Sequence, residues 1–262
     1  MDLGLSGRSV LVTGASRGIG AALAAAFARE GCRLHLAARS AERLAALKEQ
    51  LQREHGVEVA LHVIDLAERG SAVSLAELAS GADILVNNAG AVPRGDLLEV
   101  DEERWRAGWE LKVFGYINMT REFYRQMRSR GSGVIINIIG LGAEKLEYGY
   151  AAGSAGNAAL VAFTRAVGSA SLDYGVRVLG INPGTVATER SLNSLRVRSE
   201  KLLGDAERWR ELVAELPGGR MIRPEEIADV AAFLASDRAG AVCGHIFTID
   251  GGLAARSYAH RR

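Results

Sequence analysis

Thr13-Gly14-Ala15-Ser16-Arg17-Gly18-Ile19-Gly20 is the stretch that decides the fold. It follows a short apolar run, Ser9–Thr13, and opens an alanine-rich helical stretch, Gly20–Glu30, with Gly31 as its stop. Gly14, Gly18 and Gly20 permit a tight turn and let backbone approach a pyrophosphate, which the helix N-terminus meets with oriented N–H groups. Glycine-rich turns are common. The position between a buried strand and a helix is what makes this one a dinucleotide site.

Working outward, apolar runs alternate with helical stretches. Strands are expected at Arg33–Ala37, Glu58–Ile64, Asp83–Asn87, Gly133–Ile138, Val176–Ile181 and His245–Ile249. Helices are expected at Ala41–His55, Glu102–Arg130 (capped by Asp101), Tyr150–Tyr174 and Pro224–Ser236. Strands separated by such helices imply right-handed crossovers and a parallel sheet covered on both faces. No linker, repeat or low-complexity tract divides residues 1–262, so a single α/β domain is expected. Thr188–Leu216 breaks the rhythm. There Leu192, Leu195, Leu202 and Leu203 alternate with Arg190, Arg196, Arg198 and Lys201. At the carboxyl edge of a parallel sheet such an insertion, spanning 188–216, reads as a lid over a ligand or as an amphipathic helix pair that completes the core.

The composition narrows the function. The 262 residues suit one domain with a sizeable core, and a net charge of +1 without a basic stripe argues against a nucleic-acid partner. The opening Met1-Asp2-Leu3-Gly4-Leu5 has no signal-peptide pattern, and no run of about 18 apolar residues suggests a membrane span. Cys32 and Cys243 read as reduced thiols, and the five histidines have no metal-ligand spacing, so no metal is expected. A cytoplasmic location is the corresponding expectation.

The end of the second strand, Ala37-Ala38-Arg39-Ser40, carries no acid for a ribose 2′-hydroxyl. Arg39 stands there instead, and Arg17 of the glycine loop can converge on the same space. Two guanidiniums suit a 2′-phosphate, which favours NADP(H) over NAD(H).

From Leu5 to Leu253 the chain resembles the short-chain dehydrogenase/reductase superfamily. The resemblance rests on the Gly14–Gly20 loop, Asp65, Asn87-Asn88-Ala89-Gly90, Tyr150 opening a long helix, Asn182-Pro183-Gly184-Thr185-Val186-Ala187-Thr188, and Ile249-Asp250-Gly251-Gly252. It implies a Rossmann-type doubly wound parallel sheet of about seven strands and a homodimer or homotetramer. It also implies a cofactor held by the loop through Gly14, Ser16, Arg17, Gly18, Ile19 and Gly20. Asp65 would lie near the adenine, with Leu66 beside it in sequence, and Asn87, Ala89 and Gly90 along the ribose. Thr188 would lie near the nicotinamide amide, with Pro183, Gly184 and Val186 in the same segment.

The same resemblance implies four polar catalytic residues: a tyrosine, a lysine four residues later, a serine after the fifth strand and an asparagine on the preceding helix. Tyr150 matches the first. Ser154 stands at the lysine position, Ile139-Gly140-Leu141-Gly142 offers no hydroxyl, and Lys112 falls at the asparagine position. Two readings follow. In one, the lysine has moved: Tyr150 is the proton donor, Lys112 supplies the positive charge, and Ser154 touches the ribose. The reaction would then interconvert a carbonyl and an alcohol of a small molecule, amphipathic or acidic in character. In the other, the chain binds NADP without turnover. A Lys112 side chain within the pocket favours the first reading, and one in solvent favours the second. Glu144 and Lys145, before Tyr150, are further candidates for relocated chemistry. Gly153-Ser154-Ala155-Gly156 lies within a helix and lacks a nearby histidine, which excludes a serine-hydrolase elbow.

Overall fold

The structure, a computed structural model, describes residues 1–256. Residues 257–262 of the expected single domain lie outside the described residues. Seven parallel strands form one sheet in the order β3-β2-β1-β4-β5-β6-β7: β1 Ser9–Thr13, β2 Arg33–Ala38, β3 Val59–Val63, β4 Ile84–Asn87, β5 Gly133–Ile138, β6 Val176–Pro183 and β7 Ile246–Ile249. The doubly wound Rossmann-type architecture is therefore as expected.

Strand side chains alternate between two cores. Val10, Val12, Leu34 and Leu36 face α1 (Gly18–Arg29) and α9 (Pro224–Ala235), meeting Leu23, Phe27, Ile227 and Ala231. Leu11, Leu85 and Ile135 face the other way, against Phe123 and Met127 of α5 (Gly115–Arg130) and Leu75 of α3 (Ser71–Leu78). Burial on both faces explains why β1 and β4 are continuous apolar runs rather than alternating ones. Both cysteines are free. Burial pushes the Cys32 thiol up to about 12, so it packs as an inert small hydrophobe.

Several boundaries follow local chemistry. Helix α2 (Ala41–His55) is capped by Ser40, and α4 (Glu102–Trp109) by Asp101, whose carboxylate accepts from Arg104 N at 2.8 Å. Gly31 follows the end of α1 at φ 77°, where a side chain would be strained. The long helix expected over Glu102–Arg130 is interrupted: α4 and α5 are joined by a π-helical turn, Glu110–Phe114, with Lys112 at its centre. Helix α6 (Ala151–Ser171) begins one residue after Tyr150 and runs into a short 3₁₀ turn, Leu172–Tyr174. Residues 188–216 form α7 (Glu189–Leu203) and α8 (Trp209–Ala214).

Strands β1 and β4 are neighbours although the chain winds away from them in opposite directions. The crevice at their carboxyl ends is the topological switch point, where ligands of open α/β sheets bind.

Candidate active site

A cleft of about 2080 Å³ opens at this switch point, bounded by the glycine loop, the segment after β4, the start of α6 and helices α7 and α8. Pockets for drug-sized ligands span roughly 300–1,000 Å³, so there is room for a dinucleotide and a second molecule.

The loop is locked to β4 by threonine and asparagine. Thr13 Oγ1 accepts from Asn88 N (2.9 Å) and Ala89 N (3.1 Å), and Asn88 Nδ2 donates to Thr13 O and Gly14 O. Gly14 has φ 64°, and a Cβ there would lie 2.8 Å from Ala89 Cα. The glycines are therefore needed for close backbone packing, which leaves the loop's outer surface bare for a ligand. Of the cofactor residues expected from the sequence, Gly14, Ser16, Arg17, Gly18, Ile19, Gly20, Arg39, Asp65, Leu66, Ala89, Gly90, Pro183, Gly184, Val186 and Thr188 all line the cleft.

Asn87 does not line it. Its amide is buried behind the wall, donating to Thr120 Oγ1 (3.1 Å) and Asn137 Oδ1 (2.9 Å), and the lining neighbour is Asn88. Strand alternation sends Asn87 into a buried polar chain that Asn137 extends to Thr164.

Three guanidiniums border the cleft near the end of β2. Arg17 pairs with Glu189 at 2.8 Å, Arg43 approaches the same carboxylate at 3.8 Å, and Arg39 is 3.5 Å from Asp65. Arg43 was not anticipated. The signal was its place in the first turn of α2, just past Arg39, from which its side chain reaches the Glu189 carboxylate that Arg17 also holds.

Lys112 is inside the wall, not in solvent. Its side chain is 8% exposed, lines the cleft and packs so closely on Gly90 that a Cβ there would collide with Lys112 Cδ. Nζ donates to Ile138 O (2.7 Å) and Tyr116 Oη (2.9 Å), and Tyr116 in turn donates to Ile138 O (2.8 Å). A buried cation needs partners. The structure gives it a carbonyl and a phenol. Burial, with the Arg190 charge second, pulls Lys112 down to about 7, while burial holds Tyr116 well above its ordinary value. Near neutrality Lys112 thus populates both protonation states, and as an ammonium it has a third donor beyond the two already used.

Tyr150 lines the cleft from just before α6. The Arg94 guanidinium lies over its ring, 4.5 Å from the centroid, and Gly95 N donates to Gly149 O at 2.9 Å to hold the segment. Ser154 is displaced from the expected place. It does not line the cleft, and its Oγ is buried without a partner among the described residues. The expected contact to a ribose is not available to it. Glu144 lines the cleft but is tied down, accepting from Asn182 Nδ2 (2.8 Å) and Thr248 Oγ1 (2.5 Å), whereas Lys145 is exposed at the rim.

Helix α7 reaches across the cleft. Arg190 donates to Gly90 O (2.7 Å) and Val92 O (3.1 Å), and Lys201 pairs with Glu99 at 2.9 Å. Leu146, Tyr148, Val197 and Leu202 are exposed along this mouth and give it an apolar rim. Among the described residues no three His, Cys, Asp or Glu side chains group as metal ligands. Two histidines do meet: His35 and His62 on adjacent strands stack with a 2.9 Å nitrogen–nitrogen contact, a pairing that only strand register reveals.

A family model described as "Enoyl-(Acyl carrier protein) reductase" matches residues 14–254. The chain belongs to the short-chain dehydrogenase/reductase superfamily. Within that superfamily it is 36% identical over 250 residues to a galactitol 2-dehydrogenase (L-tagatose-forming) of Cereibacter sphaeroides, covering 95% of each chain. It is 34% identical over 248 residues to an acetoacetyl-CoA reductase of Shinella zoogloeoides, covering 94% of this chain and 98% of that one. Among solved structures, L-sorbose reductase from Gluconobacter frateurii, complexed with NADPH and L-sorbose, superposes with a TM-score of 0.89 at 33% identity, covering 96% of this chain and 98% of that one.

Proposed function

We propose that this chain is an NADP(H)-dependent oxidoreductase that interconverts a carbonyl and an alcohol. The observation that carries this reading is Lys112: a buried amine in the cleft wall, with no acid among the described residues to neutralise it and one donor left over.

The residues present fit the cofactor. The bare glycine surface suits a pyrophosphate, and Arg17, Arg39 and Arg43 suit a 2′-phosphate; the similar sorbose reductase is complexed with NADPH. When bound, NADPH supplies the hydride. The chain's part is proton and charge. Tyr150 gives its phenolic proton to the oxygen as the carbonyl becomes an alcohol. Lys112, held in orientation by Ile138 O and Tyr116, places positive charge where the oxygen becomes negative. Arg190, pinned to the Gly90 and Val92 carbonyls, keeps α7 over the cleft and limits water, so 188–216 acts as the lid. The apolar rim with Lys145 and Arg198 nearby favours a substrate that is amphipathic or acidic. The setting is cytoplasmic and the assembly a homo-oligomer. No described helix is long and apolar enough to cross a membrane.

The test is NADPH oxidation against L-sorbose, L-tagatose and acetoacetyl-CoA, with NADPH and NADH dissociation constants measured by calorimetry. NADPH binds more tightly than NADH, and Arg39→Ala narrows the difference. Equal affinities contradict the 2′-phosphate reading. Tight NADPH binding with no oxidation of any probe turns the conclusion to an NADP-binding protein without turnover.

A further inference from the structure

We propose that Asn157 is a substrate-orienting residue, its amide hydrogen-bonding the reacting carbonyl oxygen beside Tyr150 in space left open by Gly140, Gly142 and Gly153. The proposal rests on the hydride-transfer reading above and adds a residue to it.

Tyr150 precedes α6 and is not helical, with φ −147° and ψ 36°. Its ring folds back over the first turn, so that a Cβ on Gly153 would fall inside the ring. Only glycine allows this, and the phenol stands where a side chain at 153 would begin. Four residues further along the same helix face is Asn157. The resemblance sets a four-residue spacing between its tyrosine and its lysine. Measured from where the ring lies, that spacing ends at Asn157, not at Ser154.

Asn157 is 3% exposed, lines the cleft and makes no side-chain hydrogen bond among the described residues. Unlike Ser154 Oγ, its amide is not sealed away, so its N–H groups are open to whatever occupies the cleft. The loop after β5 yields to it. A Cβ on Gly142 would lie 3.1 Å from Asn157 Nδ2 and 3.4 Å from Tyr150 Cδ1 and Cε1, and a Cβ on Gly140 would lie 3.1 Å from the same Nδ2. The amide and the phenol ring therefore converge on one strip of backbone that carries no side chain. The missing hydroxyl of this loop and the presence of Asn157 are two sides of one rearrangement.

In the reaction the carbonyl carbon gains the hydride, the π pair moves to oxygen, and oxygen takes the Tyr150 proton, which solvent restores. Asn157 loses no proton. Its N–H strengthens its bond as charge grows on the oxygen, so its contribution falls mainly in the transition state.

The experiment uses the full chain with Asn157→Ala, Gly153→Ala, Tyr150→Phe and the Gly153→Ala/Tyr150→Phe double variant. Melting temperature, NADPH affinity, kcat and KM are measured with L-sorbose, L-tagatose and acetoacetyl-CoA as probes. Asn157→Ala should melt at or above the parent temperature, because no internal bond is lost, and bind NADPH within about threefold while kcat falls about 10²-fold. Gly153→Ala should evict the ring, and the double variant should be no worse than Tyr150→Phe alone, since both changes remove the same group. A melting point lowered by more than about 3 °C in Asn157→Ala marks a structural amide and overturns the proposal. So does full activity in Asn157→Ala or Gly153→Ala. If the parent oxidises NADPH with none of the probes, the hydride reading fails on its own. The orienting role then falls with it, whereas an active parent with an unstable or fully active Asn157→Ala protein overturns the Asn157 proposal alone.

Discussion

A lysine surrounded by Gly90, Tyr116 and the Ile138 carbonyl is in a poor place for a charge, and this has a measurable signature. Burial lowers Lys112 to about 7, against an ordinary value of 10.5 that applies in the unfolded chain. Below pH 7 both states hold the proton and the folded state bears the full burial cost. Between 7 and 10.5 the unfolded chain keeps a proton that the folded chain has lost, so stability contributed by this residue rises with pH. Lys112→Met removes the charge at similar volume. It should therefore be more stable than the parent near neutrality, with the gap closing toward alkaline pH. Urea unfolding of both proteins across this window checks the slope, and a constant gap contradicts the buried-amine account. At this scale the place of the glycine loop, Arg17 and Arg39 in the cleft lining was legible because it is local to a turn. Ser154 and Asn87 were not. Counting residues locates a backbone position, and it does not show that Tyr150 bends over Gly153 or that strand alternation hides Asn87.

Among the elements, the π turn at Glu110–Phe114 and the helix pair after β6 shape the cleft. The π turn inserts one residue's worth of rotation into a continuous helix, and Lys112 lies at its centre. Apolar periodicity over Glu102–Arg130 has no means of showing such a shift, because the apolar face continues on both sides. Helix α3 was also missed: it has eight residues, starts after Gly70 without a side-chain cap and carries little polar contrast. Helix α7 tests the lid. Its Lys201–Glu99 pair is exposed, so Lys201→Ala should leave stability unchanged and raise KM by about threefold at unchanged kcat, with salt doing the same to the parent. Steady-state kinetics at low and high ionic strength decide it. An unchanged KM would separate α7 from ligand capture.

For the whole molecule, the doubly wound parallel sheet was readable because βαβ handedness leaves few alternatives once the elements are placed, while the order of its strands came from the structure. The assembly was less accessible, since a self-complementary face has no motif. Helix α6 exposes Ala155, Ala158, Ala159, Ala162 and Ala166 along one side, a surface small enough for a symmetry mate to approach closely. Light scattering should therefore give a multiple of the 27.9 kDa chain mass, and a monomer mass would reject this. The central claim is that a displaced lysine powers hydride transfer. Its most direct test is the rate of NADPH-dependent carbonyl reduction as a function of pH, for the parent and for Lys112→Met. The account predicts a parent rate that falls as pH rises through about 7, as the ammonium is lost, and a variant at least about tenfold slower with no such inflection. Equal rates and identical pH profiles in the two proteins would contradict it.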